Sequence, residues 1–149
     1  MLDPIFQKKV DITKYLDLPF KQNGYDWGGI DCYGLYHLFN KEEFGLILPK
    51  YQTEENWVGD NSKLRNFKYI QKHCMDCTVP IKVPHRYCGV VFAKLGTQIE
   101  AHIGIMIDDV TFLNIRQNTV SRLDKITHRY WRKVFSEFRT IKNTEKWKL

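Results

Sequence analysis

Apolar and polar positions alternate with two different periods along this chain, and the change falls near its middle. Between Cys32 and Phe44 the apolar residues keep a helical spacing, with Leu35, Leu38 and Phe39 on one face. Gly45 stands where a C-terminal cap belongs, and Pro49 prevents continuation. The spacing predicts a helix over 32–44. A second helix is predicted over 61–73, where Leu64, Phe67 and Ile70 recur every third residue, and a short one over 11–17, ended by Pro19. The second half reads as strands. GVVFAK at 89–94 is a short apolar run suited to a buried strand. HIGIMI at 102–107 alternates, with Ile103, Ile105 and Ile107 on one face and His102, Gly104 and Met106 on the other. Asp108-Asp109 supplies a turn, 110–115 continues as the partner strand, and a last strand falls within 133–141. Helices first and a meander of strands afterwards predict one α+β domain over 1–149, with an antiparallel sheet at its C-terminal end.

Composition narrows the class without naming a function. The 149 residues are 43% hydrophobic and 14% aromatic, enough for one packed core. No apolar run reaches the ~18–20 residues that cross a bilayer, so no membrane insertion is expected. The N-terminus, MLDPIFQKKVDITKYLDLPF, has acidic residues and broken apolar character, unlike a secretory signal. The net charge of +6 suits an anionic partner without choosing among nucleic acid, lipid and wall polymer. No helix-turn-helix, finger or RNA-binding signature accompanies it, and no nucleic-acid partner is expected.

The candidate chemistry starts at Cys32, where the glycine-rich loop GYDWGGID turns into the predicted helix. Unpaired N–H groups at a helix start favour a thiolate and can stabilise an oxyanion. Asp31 is the expected N-cap. The alternative is a cysteine packed inertly beneath a loop. A thiolate nucleophile needs an imidazole, and the imidazole needs an orienting group. His102 opens the alternating strand, and Gly104 leaves room on the same face for a helix end or a substrate backbone. A three-residue loop at 107–109 pairs Met106 with Val110 and hence His102 with Asn114. Asn114 then holds one imidazole nitrogen and leaves the other for Cys32.

These residues resemble the NlpC-type peptidases of bacterial cell walls. GYDWGGIDCYGLYHLF is similar to the family's nucleophile motif through Tyr25, Gly28, Gly29, Asp31, Cys32 and Gly34. AHIGIMIDDVTFLNI resembles its histidine strand and the strand of its third polar residue, which maps to Asn114. LPKY at 48–51 sits where a leucine-proline pair is common, and RYWRKVFSEFR at 129–139 resembles the closing segment of the branch found with phage tail tips. The resemblance implies a papain-like α+β core with the cysteine helix packed on the antiparallel sheet. It implies an endopeptidase that cuts peptidoglycan stem peptides, commonly between D-glutamate and a diamino acid, with no cofactor. Cys32 attacks, His102 moves the proton and Asn114 orients the ring. Tyr25, Asp31, Tyr33 and Trp27 are the expected substrate-binding residues. Tyr33 stands where serine is frequent, Tyr87-Cys88-Gly89 replaces a usual Pro-Gly-Asp, and Asn114 replaces a frequent histidine. The implied setting is a virion, with other tail-tip proteins as partners and action in the cell wall. An inert tail-tip subunit that keeps the fold is the alternative.

Cys74-x-x-Cys77 and His85-x-x-Cys88 have zinc-ligand types and spacings. Cys88 falls at the entry to a predicted core strand, an unsuitable place for a metal knuckle. Buried free cysteines and no metal are therefore expected. His37 is read as exposed on the cysteine helix, and His128 as structural.

Overall fold

A computed structural model describes residues 2–50, 76–98 and 100–148 of the chain. Two single turns of 3-10 helix come first, Pro4–Gln7 and Ile12–Tyr15, the second inside the short helix expected before Pro19. A two-stranded ribbon follows, β1 (Tyr25–Asp26) and β2 (Gly29–Ile30), and leads directly into helix α1 (Cys32–Phe44). The helix predicted at 61–73 lies outside the described residues. The rest of the chain supplies β3 (Thr78–Ile81), β4 (Gly89–Ala93), β5 (Glu100–Met106), β6 (Thr111–Asn114), β7 (Arg122–Lys125), a short helix α2 (Arg129–Val134) and β8 (Phe135–Ile141). A last helical turn covers Thr144–Trp147.

The six later strands form one sheet in the order β3-β8-β4-β5-β6-β7, antiparallel throughout. This is the α+β arrangement that the change of period predicts. Strands β3 and β7 escape the pattern reading, because TVPI and RLDK, at four residues each, are too short to show a period. The helix α2 escapes it too. His128 starts it by accepting the Tyr130 N–H on its ring nitrogen, a cap that sequence preferences do not suggest.

Side chains of β4 and β5 alternate between two cores. Val91, Ile103 and Ile105 pack under α1 with Leu35, Leu38 and Phe39. Val90, Phe92 and Met106 pack on the opposite face with Phe112 and with Trp131 and Val134 of α2. Helix α1 is buried nearly all round, which leaves no exposed face for His37. That residue is 1% exposed, against the solvent position expected for it, and burial lowers its pKa to about 4.

Both ends of α1 are fixed by local chemistry. Asp31 caps the N-terminus: one carboxylate oxygen accepts the Gly34 N–H at 2.8 Å and the other the Asn23 N–H at 2.8 Å. Gly45 ends the helix in the left-handed region at φ 66°, and the N–H groups of Gly45 and Leu46 close onto Lys41 and Asn40. The glycines of the preceding loop have a steric reason. A Cβ on Gly34 would lie 1.8 Å from the carbonyl oxygen of Gly24, and a Cβ on Gly24 would lie 2.2 Å from that of Gly29. Only bare backbone lets the loop close on the first turn of α1.

The substitution Gly34→Ala is therefore expected to cost about 3 kcal/mol or more, since backbone and not a flexible side chain must give way. Chemical denaturation of the variant beside the parent measures it. A loss below about 1 kcal/mol would show that the loop is free to move away.

Candidate active site

Cys32 begins α1 and His102 lies early in β5, and the two side chains line one cavity of about 310 Å³. Phe92, Ile115, Arg116 and Trp131 complete much of its wall. The pair comes from different faces of the sheet: His102 shares its face with Phe92 and Trp131, whereas α1 lies on the other. They reach one cavity beyond the point where the β5–β6 ladder, which covers only Ile105 and Met106, has ended. Nearer the start of β5 the strands are no longer paired, and there the backbone N–H of Ile103 faces the Cys32 sulfur.

Asn114 reaches His102 by a different register from the one expected. Met106 pairs with Phe112 and not Val110, because five residues, 107–111, and not three separate the partners. Two backbone N–H groups bond to the Thr111 carbonyl and two more to the Asp108 carboxylate, which ties that loop together. Asn114 is therefore diagonal to His102 instead of opposite. A shift of two residues keeps every side chain on its face, and a diagonal pair stays within reach of long side chains. His102 Nε2 lies 3.0 Å from Asn114 Oδ1. A carbonyl oxygen can only accept, so Nε2 carries the proton, and Nδ1 keeps its lone pair for a second partner. Gly104 leaves room for neither helix nor substrate: the Phe112 ring fills that space, 2.8 Å from where a Cβ would sit.

Three groups absent from the sequence reading of this site complete it. Asp124 on β7 accepts the Asn114 Nδ2–H at 2.9 Å and pairs with Arg122 at 3.1 Å. Trp131 stacks on the His102 ring with centroids 5.5 Å apart and planes 22° apart. The Arg116 guanidinium lies over the Trp131 ring at 5.5 Å. Asp124 and Trp131 belong to β7 and α2, elements the pattern did not predict, so nothing in the sequence marked them as neighbours of His102.

The expected substrate-binding residues lie elsewhere. Asp31 is buried with both oxygens on backbone amides. Tyr33 is buried and donates its hydroxyl to the Pro49 carbonyl. Tyr25 packs edge-on against Tyr33 and His37. Trp27 is exposed and stacks on Tyr15. None of the four lines the cavity shared by Cys32 and His102. Of the zinc-type set, Cys74 lies outside the described residues. Cys77 and Cys88 are buried and form no disulfide among the described residues. Both ring nitrogens of His85 are engaged: Nδ1–H donates to the Arg86 carbonyl at 2.8 Å, and Nε2 accepts the Thr140 hydroxyl at 2.7 Å. Among the described residues no group of three metal-ligating side chains comes together.

Burial sets the resting charge of the pair. The Cys32 thiol is pushed up to about 12, first by desolvation and then by the Asp31 charge, against the opposing pull of the Ile103 and Tyr33 amides. His102 is held down at about 4 by desolvation, which the Asn114 bond only partly offsets. Near neutral pH the free protein thus holds a neutral thiol beside a neutral imidazole.

The sequence model of the NlpC/P60 family matches residues 21–140, from the glycine-rich loop through nearly all of β8. The chain belongs to the NlpC/P60 family. Three solved structures share the fold. An NlpC/P60 family protein from Bacillus cereus is 17% identical with a TM-score of 0.59, over 83% of this chain and 35% of that one. A Staphylococcus aureus protein described as similar to lipoprotein, NLP/P60 family, is 17% identical with a TM-score of 0.64, over 95% and 42%. The NlpC/p60 domain of the peptidoglycan hydrolase SagA is 13% identical with a TM-score of 0.55, over 86% and 90%. This NlpC/P60 chain thus spans less than half the length of the first two. No curated protein sequence matches it. Its architecture is the α+β papain-like one, with the cysteine helix against an antiparallel sheet.

The charge state yields a measurable consequence. Because the thiolate form grows tenfold per pH unit below a pKa near 12, Cys32 alkylation by iodoacetamide should keep accelerating from about pH 6 to about pH 9. Peptide mapping by mass spectrometry follows the site. A rate that levels off near pH 6–7 would mean a preformed thiolate–imidazolium pair.

Proposed function

We propose that this chain is a cysteine endopeptidase that cleaves peptidoglycan stem peptides, with Cys32 as nucleophile, His102 as general base and Asn114 as the group that orients His102. One observation carries the reading: Cys32 and His102 line a single cavity, and the Asn114 bond engages Nε2 of the imidazole and leaves Nδ1 to act as the base. Cys32 Sγ attacks the scissile carbonyl while its proton passes to His102 Nδ1. The developing oxyanion finds N–H groups at the start of α1. Collapse of the tetrahedral species breaks the C–N bond, and the proton on Nδ1 leaves with the amine. Water then hydrolyses the thioester, with His102 again accepting and returning a proton. Family membership supports wall peptides as substrate. So does the cavity's charge: Lys94 and Arg116 are among its wall residues, and among the described residues no carboxylate is, which suits peptides bearing free carboxylates.

Incubation with purified peptidoglycan tests the assignment, read as new amino termini and released muropeptides. Cys32→Ala should lower release about 10³-fold or more, since a nucleophile is lost. Equal release by parent and variant would remove the peptidase reading. A second reading, an inert subunit that keeps the fold, draws on Cys32 being only 5% exposed. It is the outcome if the parent itself releases nothing.

The setting we propose is a phage tail tip, on the likeness of residues 129–139 to the tail-tip branch. Mass spectrometry of purified virions should then find the chain among the tail proteins. Its consistent absence from particles would leave a wall peptidase without that setting.

A further inference from the structure

Asn114 has a side chain that can present either of two opposite groups to His102. With Oδ1 toward the ring, Nε2 must be protonated and Nδ1 is the base. With Nδ2 toward the ring, Nε2 must accept, the proton moves to Nδ1, and the nitrogen available to Cys32 can no longer take a proton. The two orientations have nearly the same shape, so packing does not choose between them. What distinguishes them is the chemistry at the far end of the amide. There Nδ2 lies 2.9 Å from Asp124 Oδ2 and 3.4 Å from the Arg122 carbonyl oxygen. Both partners only accept. Turning the amide over would set its oxygen against a carboxylate and a carbonyl.

We propose that Asp124 is a positioning residue: by accepting from Asn114 it fixes the amide, and through the amide it fixes the imidazole tautomer that makes Nδ1 a base. The inference rests on the reading of His102 as general base. The arrangement is a polar diagonal across three adjacent strands, His102 on β5, Asn114 on β6 and Asp124 on β7. Each step is offset by two residues from the direct cross-strand partner, since Asn114 pairs with Arg122 and Phe112 with Asp124. Asn114 is fully buried, so water cannot replace a lost acceptor at its amide without entering the core. Arg122 pairs with the other Asp124 oxygen at 3.1 Å, which holds the carboxylate toward Asn114. The Arg122 carbonyl is the weaker of the two acceptors by distance and does not replace Asp124 in full.

Nitrogen-15 NMR of the His102 ring reads the tautomer without any substrate, in the parent, Asp124→Ala and Asp124→Asn. The parent should carry its proton on Nε2. Asp124→Ala should shift the population measurably toward Nδ1–H. Asp124→Asn retains an acceptor oxygen and should restore most of the parent pattern. On stem-peptide substrate the alanine variant should lose roughly 10–100-fold in kcat with KM within about threefold, and the asparagine variant should recover most of it. A parent pattern in Asp124→Ala, or Nδ1–H in the parent, overturns the proposal. If the alanine variant does not fold, the parent still decides. One Asn114 Nδ2 proton must then be protected from solvent exchange together with Nε2–H on His102, and failure of either overturns it. Absence of peptidase activity in the parent, with the tautomer pattern as expected, would count against the enzymatic reading alone.

Discussion

The contact between bare backbone at Gly24 and Gly34 governs where the sulfur of this protein can be. It lets the loop before α1 lie directly on the first helical turn, where any side chain would hold the two apart. With the loop seated, Asp31 reaches back to Gly34 and across to Asn23 at once. The helix start is thereby fixed against the β1–β2 ribbon, and Cys32 is carried to the end of β5 that β6 no longer pairs. A cap without the glycine contact would leave the helix end free to swing. The glycine contact without the cap would leave its amides unsatisfied in the core.

The second determinant is the short β5–β6 ladder. A sheet paired to its end would close the space between β5 and the residues after Asn114, and would keep α1 on one face and His102 on the other. Here pairing stops after two residue pairs. The gap admits the sulfur beside the Ile103 amide, and Trp131 covers the imidazole from the α2 side. The site is therefore built where two faces of one sheet communicate. Its groups are strongly desolvated, which explains why both members of the pair rest in their neutral forms.

Burial also gives meaning to the polar diagonal from His102 through Asn114 to Asp124. In a solvated site water would satisfy an amide in either orientation. In a dry one each hydrogen bond constrains the next, and the charge at one end sets the direction of donors along the whole chain. Arg122 at the surface and His102 in the cavity are thus linked through two intervening side chains.

Local signals in the amino-acid sequence determined a good deal. The period of Leu35, Leu38 and Phe39, the cap residues Asp31 and Gly45 and the alternation of 102–107 depend on neighbours within a few positions, so they were legible as α1 and β5. The types and order of Cys32, His102 and Asn114 pointed to thiol chemistry, and the spacing of the glycines to a tight loop. The tertiary structure decided what depends on residues far apart in the chain. The segment between Met106 and its partner is two residues longer than the pattern suggested, and the site is kept because a two-residue slip preserves faces. Asp31 and Tyr33 turn inward because the first turns of α1 and its cap are buried, a fact no single helix can report. Asp124 and Trp131 became neighbours of His102 only when β7 and α2 folded over it. Such proximity is set by strand order and packing, and neither leaves a periodic trace in the segments RLDK and RYWRKV.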